Sequence, residues 1–206
     1  MSAGSKQRVI VASTNHGKLA EIRSALDFES FEFVTAVDLG LEPLEVEETG
    51  DTFTENALLK AHAYVDAFGL AALADDSGLE VDALLGAPGV LSARYSGEGA
   101  TDERNNQKML VALKDVPERD RTARFRSVIA LVYPNGTSLM ADGSCEGSIG
   151  LAPRGSGGFG YDPLFLPEAT PGRTMAELEI AEKNAISHRG SALRALRHKL
   201  VAEGRG

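Results

Sequence analysis

Two periods of apolar spacing alternate along the chain, and the switches between them mark out the elements. Residues 8–14 (RVIVAST) form a short β-branched run, which predicts a buried strand. Residues 18–26 then place Leu19, Ile22, Ala25 and Leu26 on one side of a helix, with Asn15, His16 and Gly17 as the turn leading into it. A second strand is expected over 32–35, followed by an acidic loop over 42–51. The clearest helix covers 52–68. Thr52 and Glu55 make a capping box, while Phe53, Ala57, Ala61, Tyr64 and Phe68 recur at helical spacing. Residues 70–75 (LAALAD) predict a strand that runs straight into Asp76, Ser77 and Gly78. A helix over 102–113, a hairpin of 124–133 with 138–146, a glycine-rich loop over 155–160 and an amphipathic helix over 188–201 complete the series. Strands alternating with helices, then a hairpin, predict an α/β fold with a mixed sheet.

At 206 residues the chain is long enough for one domain with a substantial core, or for two closely joined lobes. The domain is expected to span 8–203. The first seven residues, small and polar, have no apolar run of a signal peptide and are expected to be disordered. Cys145 is the single cysteine, so no intramolecular disulfide is available and a reducing cytoplasmic location is expected. No apolar stretch approaches the ~18 residues a membrane helix requires. A formal net charge of −9 argues against a protein that coats nucleic-acid phosphates. It permits a small anionic substrate held by a few focused cations, with a divalent metal alongside.

Five places carry candidate chemistry. The segment Ser13, Thr14, Asn15, His16, Gly17 and Lys18 presents backbone N–H groups, neutral donors and one ammonium at a helix start, which suits a phosphate. The same residues also read as an ordinary helix start with a surface lysine, and they do not make a Walker loop. Glu47, Glu48 and Asp51 are loop carboxylates, solvated unless a cation needs them; Mg²⁺ favours a few carboxylates plus water and phosphates. Lys60 lies beside the apolar stripe of its helix with Asn56 one turn earlier, either snorkelling to solvent or charging a cleft. Asp75 and Asp76 end a hydrophobic strand and point in different directions, so one can hold metal or act as base while the other is structural. Finally, Phe159, Gly160, Tyr161 and Asp162 set aromatic rings in a glycine-rich loop, where a ring can stack on a base. His188 and Arg189 open the last helix, against the dipole preference there, which suggests a ligand.

Taken in order, these segments resemble the inosine triphosphate pyrophosphatase family. The matching runs are Ser13 to Lys18, Glu47-Glu48-Thr49-Gly50, Glu55 to Ala61, Asp75-Asp76-Ser77-Gly78-Leu79, Ser92 to Gly97, Gly158 to Pro163 and Glu182 to Gly190. The resemblance spans nearly the whole chain. It implies an elongated α/β fold with a central mixed sheet flanked by helices, two lobes with a cleft between them, and a homodimer. It also implies Mg²⁺-dependent hydrolysis of noncanonical purine nucleoside triphosphates (ITP, dITP, XTP) to the monophosphate and pyrophosphate, which cleanses the nucleotide pool. By position, Glu47 resembles the family's metal-binding glutamate, and Asp76 its catalytic aspartate and second metal contact. Ser13 to Lys18 resemble its phosphate turn. Ser77, Phe159, Gly160, Tyr161, Asp162, Lys183, His188 and Arg189 resemble its other substrate contacts.

Arginine, and a histidine in the right protonation state, donate to the 6-keto oxygen of hypoxanthine or xanthine and meet a mismatch in adenine. Two rivals stand beside this reading: a pyrophosphatase for ordinary nucleotides, and a sensor that binds triphosphates without turnover. The hairpin and the last helix are both candidate dimer surfaces.

Overall fold

The computed structural model describes residues 6–25 and 30–204, except for the side chains of His16 and Ser24. Leu26, residues 1–5 of the N-terminal segment and the His16 side chain therefore lie outside the described residues. Six strands form one mixed sheet in the order β2-β1-β3-β4-β5-β6. Strand β1 (Gln7–Val11) lies parallel to β2 (Phe31–Val34) on one side and to β3 (Ala71–Val81) on the other. Helix α1 (His16–Ala25) joins β1 to β2, and α2 (Phe53–Phe68) precedes β3. Because the chain turns to opposite sides of β1, the carboxyl end of β1 is a topological switch point, where α/β folds gather ligands.

Helix α3 (Asp102–Ala112) is followed by β4 (Thr122–Val132) and β5 (Ser138–Ile149). The turn between those strands is held by Tyr133 N–H donating to the Thr137 carbonyl and Gly136 N–H donating to the Tyr133 carbonyl. Short β6 (Phe165–Pro167) runs antiparallel to β5, and α4 (Ile180–Ile186) and α5 (His188–Ala202) close the chain. Among the described residues no helix is long and apolar enough to cross a membrane.

The chain divides into two compact units. The first comprises Met1–Asp76, Ser127–Gly143 and Arg189–Gly206; the second comprises Ser77–Arg126 and Ser144–His188. Unit one buries Val9, Val11, Ile22, Leu73, Ile129, Leu131, Leu193 and Leu196 in one core. Unit two buries Leu79, Met109, Leu113, Phe125, Ile149, Tyr161, Leu164 and Phe165 in another.

Several boundaries shift by a few residues from the sequence expectation; two of these shifts, and one helix not expected at all, have a local reason. Strand β1 begins at Gln7, whose N–H donates to the Ser30 carbonyl, and stops at Val11 because Ser13 and Asn15 form their own turn. Strand β3 does not end at Asp75 but continues through Asp76, Ser77 and Gly78 to Val81, since lysine and arginine side chains reach the two acids and Leu79 and Val81 restore buried apolar positions. Helix α4 has too few residues to show a period; its signal is a capping box between Glu179 and Glu182.

The capping box of α2 is formed in full. Glu55 N–H donates to Thr52 Oγ1 at 3.1 Å and Thr52 N–H donates to Glu55 Oε2 at 3.0 Å. Thr52→Ala is expected to lower unfolding free energy by about 1 kcal/mol in urea titration, since an orphan N–H at the helix start loses its acceptor.

Candidate active site

In unit one the site is built where β1, α1, α2 and β3 meet. The turn after β1 is shaped by its own side chains: Asn15 N–H donates to Ser13 Oγ at 3.2 Å, and Lys18 N–H donates to Asn15 Oδ1 at 3.0 Å, so Asn15 caps the first turn of α1. Thr14 and Asn15 are exposed, Ser13 and Gly17 half-buried. The Lys18 ammonium reaches Asp75 Oδ2 at 2.9 Å.

Successive side chains in a strand point to opposite faces, and Asp75 and Asp76 meet different partners accordingly. Asp75, 1% exposed, accepts from Lys18, from the Ser127 hydroxyl at 2.5 Å and from Arg189 at 3.2 Å. Arg189 also donates to Glu21 on α1. Lys18, Asp75, Arg189 and Glu21 thus form a quartet of two acids paired with two basic side chains. Burial alone pushes the Asp75 carboxyl up, but Arg189 and Lys18, with the Ser127 hydroxyl, hold it well below the carboxylate range. Burial draws the Lys18 ammonium below its ordinary value, with Asp75 opposing.

Asp76 faces Lys60, whose Nζ lies 3.4 Å from Asp76 Oδ1 and donates to Glu48 Oε1 and the Asp75 carbonyl, each at 2.8 Å. Lys60 therefore points into this cluster rather than snorkelling. Burial draws its ammonium down, yet Asp76 and Glu48 more than offset that and it ends above its ordinary value. For Asp76 the balance is reversed. Burial raises its carboxyl above the usual range, Lys60 and Lys18 offset that only in part, and Glu48 adds to it. The Asn56 amide favours the Asp76 charge without completing a hydrogen bond: Asp76 Oδ2 and Asn56 Nδ2 are both buried without a partner. Asn56 Oδ1 meanwhile accepts from Gly50 N–H at 2.8 Å, which fixes the acidic loop against α2.

An unpartnered, buried carboxylate oxygen is a fitting ligand for a divalent cation. Exposed Glu47 lies one residue before Glu48. Among the described residues no group of three or more His, Cys, Asp or Glu side chains is placed to enclose a metal.

Unit two carries the remaining candidates. Lys183 on α4 is 8% exposed; its Nζ donates to Asp162 Oδ2 at 2.7 Å and sits 4.7 Å from the centroid of the Phe159 ring. Asp162 Oδ2 also accepts from Phe159 N–H at 3.0 Å. Gly158 permits this approach: with φ of +74°, a Cβ there would lie 2.0 Å from Asp162 Oδ2. His188 is buried and stacks on Phe125, with ring centroids 4.8 Å apart. Phe159 and Ser77 are half-buried, whereas Tyr161 is 4% exposed and donates its hydroxyl to the Ser92 carbonyl at 2.9 Å. Tyr161 is thus a core ring, and Phe159 is the more exposed aromatic of this loop, with the Lys183 ammonium over its ring.

Glu21 and Ser127 join the site without having been singled out from sequence, whereas Glu48, expected as one of three loop carboxylates, is the one paired with Lys60. Glu48 stood beside Glu47 in a loop with no period to say which side chain turns inward. Glu21 and Ser127 lie far from Arg189 and Asp75 in sequence and carry no local mark.

An α/β protein with a switch-point turn, two buried acids held by lysines and a separate lysine–aromatic loop is the class these features define. The family model described as Ham1 family matches residues 9–199, and the chain belongs to the Ham1 family. It is 53% identical over 197 residues to a protein of Geobacter sulfurreducens named dITP/XTP pyrophosphatase, covering 96% of this chain and 98% of that one. A dITP/XTP pyrophosphatase of Shigella flexneri is 51% identical over 192 residues, covering 92% and 96%. The solved structure of a HAM1 protein from Coxiella burnetii superposes with a TM-score of 0.85 at 46% identity, covering 95% of this chain and 99% of that one.

Proposed function

We propose that this chain is a cytoplasmic, Mg²⁺-dependent pyrophosphohydrolase that converts ITP, dITP and XTP to the monophosphate and pyrophosphate. The observation that carries the reading is Asp76: a buried carboxylate with a raised pKa, one oxygen unpartnered, beside Lys60 and next in sequence to a fully neutralised Asp75. Glu47 and Asp76 would hold Mg²⁺, which supplies screening of phosphate charge and Lewis-acid polarisation when bound. Asp76 orients a water and takes its proton as the water oxygen bonds to the α-phosphorus. The bond from that phosphorus to the bridging oxygen breaks, and pyrophosphate leaves with the electron pair. A carboxylate with a raised pKa is a stronger base than an exposed one, which suits this role.

Lys18 and Lys60 place fixed positive charge for the phosphate oxygens, and the turn of Ser13, Thr14, Asn15, His16 and Gly17 adds N–H and hydroxyl donors. Asp75 receives no part in proton transfer; its quartet holds Lys18 in place. Base recognition falls to unit two, where Phe159 offers a face for stacking and Lys183 and His188 supply donors for a 6-keto oxygen. The two terminal nitrogens of Arg189 bind Glu21 and Asp75, so its proposed part is to support Asp75. The family resemblance supports action as a homodimer.

Product analysis tests the reaction. ITP incubated with the protein and Mg²⁺ is expected to give IMP and pyrophosphate in equal amounts, and EDTA is expected to stop it. IDP with inorganic phosphate as products would exclude the proposed bond cleavage.

A further inference from the structure

Helix α3 has no part in the mechanism above, yet its polar side chains grip the backbone of the aromatic loop. Gly160 N–H donates to the Asp102 carboxylate at 2.6 Å, and Asn106 Nδ2 donates to the Gly160 carbonyl at 2.9 Å. Residues four apart on a helix share a face, so one turn of α3 holds both polar groups of a single peptide residue. That loop is held by Asp162 on the C-terminal side of Phe159, while Gly160 itself is free to turn: Gly155, Gly157, Gly158 and Gly160 lie within six residues, and Gly160 takes φ of +62° with open space where a side chain would be.

The grip has a firm base. Asn105, 3% exposed, donates to the Ala93 carbonyl at 3.1 Å and accepts from Ser96 N–H at 2.8 Å. Tyr161, on the far side of Gly160, donates to the Ser92 carbonyl. The Ser92-Ala93-Arg94-Tyr95-Ser96-Gly97 run, to which sequence gave no role, is thus the anchor shared by α3 and the loop.

We propose that Asp102 and Asn106 are positioning residues for base recognition: by clamping Gly160 they fix the pose of the adjacent Phe159 ring against which a purine stacks. The inference rests on the base-binding role given to Phe159 above. With the clamp released the loop samples other conformations, and the purine must restore one of them on binding. The triphosphate contacts of unit one are untouched.

The test is calorimetric binding of IMP and of inorganic tripolyphosphate to wild type, Asp102→Ala, Asn106→Ala and Asp102→Asn, with ITP KM and kcat and a melting curve for each. Both alanine variants are expected to weaken IMP binding about tenfold, or ~1.4 kcal/mol, and to raise the KM for ITP in parallel. Their kcat and tripolyphosphate affinity should stay within about twofold. Asp102→Asn, which keeps an acceptor for Gly160 N–H, should bind IMP as wild type does. Equal weakening of IMP and tripolyphosphate, or no weakening of IMP, overturns the clamp, as does a wild type that binds no IMP. A wild type that binds IMP without hydrolysing ITP removes the proposed activity instead, and the clamp is then judged on IMP affinity alone.

Discussion

Asp76→Asn is expected to reduce turnover of ITP by a factor of about 10²–10⁴, the usual contribution of a positioned base, and at the same time to raise the melting temperature measured in EDTA. Both effects follow from one environment. Asp76 is 4% exposed, and burial raises its pKa because Lys60 and Lys18 recover only part of what the charge loses in leaving water. A carboxyl whose folded pKa lies above its unfolded value costs the fold stability once it is ionised. That cost is absent below the unfolded value of about 3.9 and complete above the folded pKa, so the advantage of the asparagine variant should be present at neutral pH and vanish on acidification. Lower activity with higher stability is the mark of a group kept for chemistry. A variant that loses activity but melts below wild type would instead mark Asp76 as a structural acid.

Arg189→Met is expected to be the most damaging single change to the fold, costing about 3–5 kcal/mol because it strands buried carboxylates. Arg189 is 1% exposed and bridges Glu21 to Asp75; without it Asp75 keeps Lys18 and Ser127, while Glu21 loses the cation buried against it. The pH dependence identifies the cause. In wild type the folded pKa of Asp75 is depressed, so its contribution is complete above about pH 3.9 and is lost only as pH falls through that lower folded value. In the variant Asp75 has lost the larger of the two cationic influences that depress it, so it protonates at a higher pH than in wild type. The stability gap between the two proteins, read by urea unfolding, should therefore be widest near neutrality and narrow below about pH 4. A gap that does not change with pH would point to lost packing around the methionine rather than to charge.

Much of the fold was legible because hydrophobic spacing reports burial directly. The β-branched run of β1, the capping box and apolar stripe of α2 and the turn between β4 and β5 all appear where local pattern places them. The pattern failed where burial is polar. Asp75 and Asp76 look like the end of a strand because two acids should not be buried, and only the arrival of Lys18, Lys60 and Arg189 from distant segments allows β3 to continue. The same long-range pairing explains why Glu21 and Ser127 went unseen and why Arg189, expected to face a base, holds Asp75. Residue types in a motif show what chemistry is available; which atom each donor meets is decided by tertiary packing.

Substrate selectivity bears most directly on the central claim, through pyrophosphate release from ITP, XTP, GTP and ATP measured side by side with Mg²⁺ and with EDTA. Metal-dependent turnover of ITP and XTP, with GTP and ATP left largely intact, is the predicted result. Equal turnover of all four would retain the hydrolytic chemistry of Asp76 and contradict the role in cleansing the nucleotide pool. Binding of ITP without release of pyrophosphate would contradict the enzyme itself and leave a nucleotide sensor in its place.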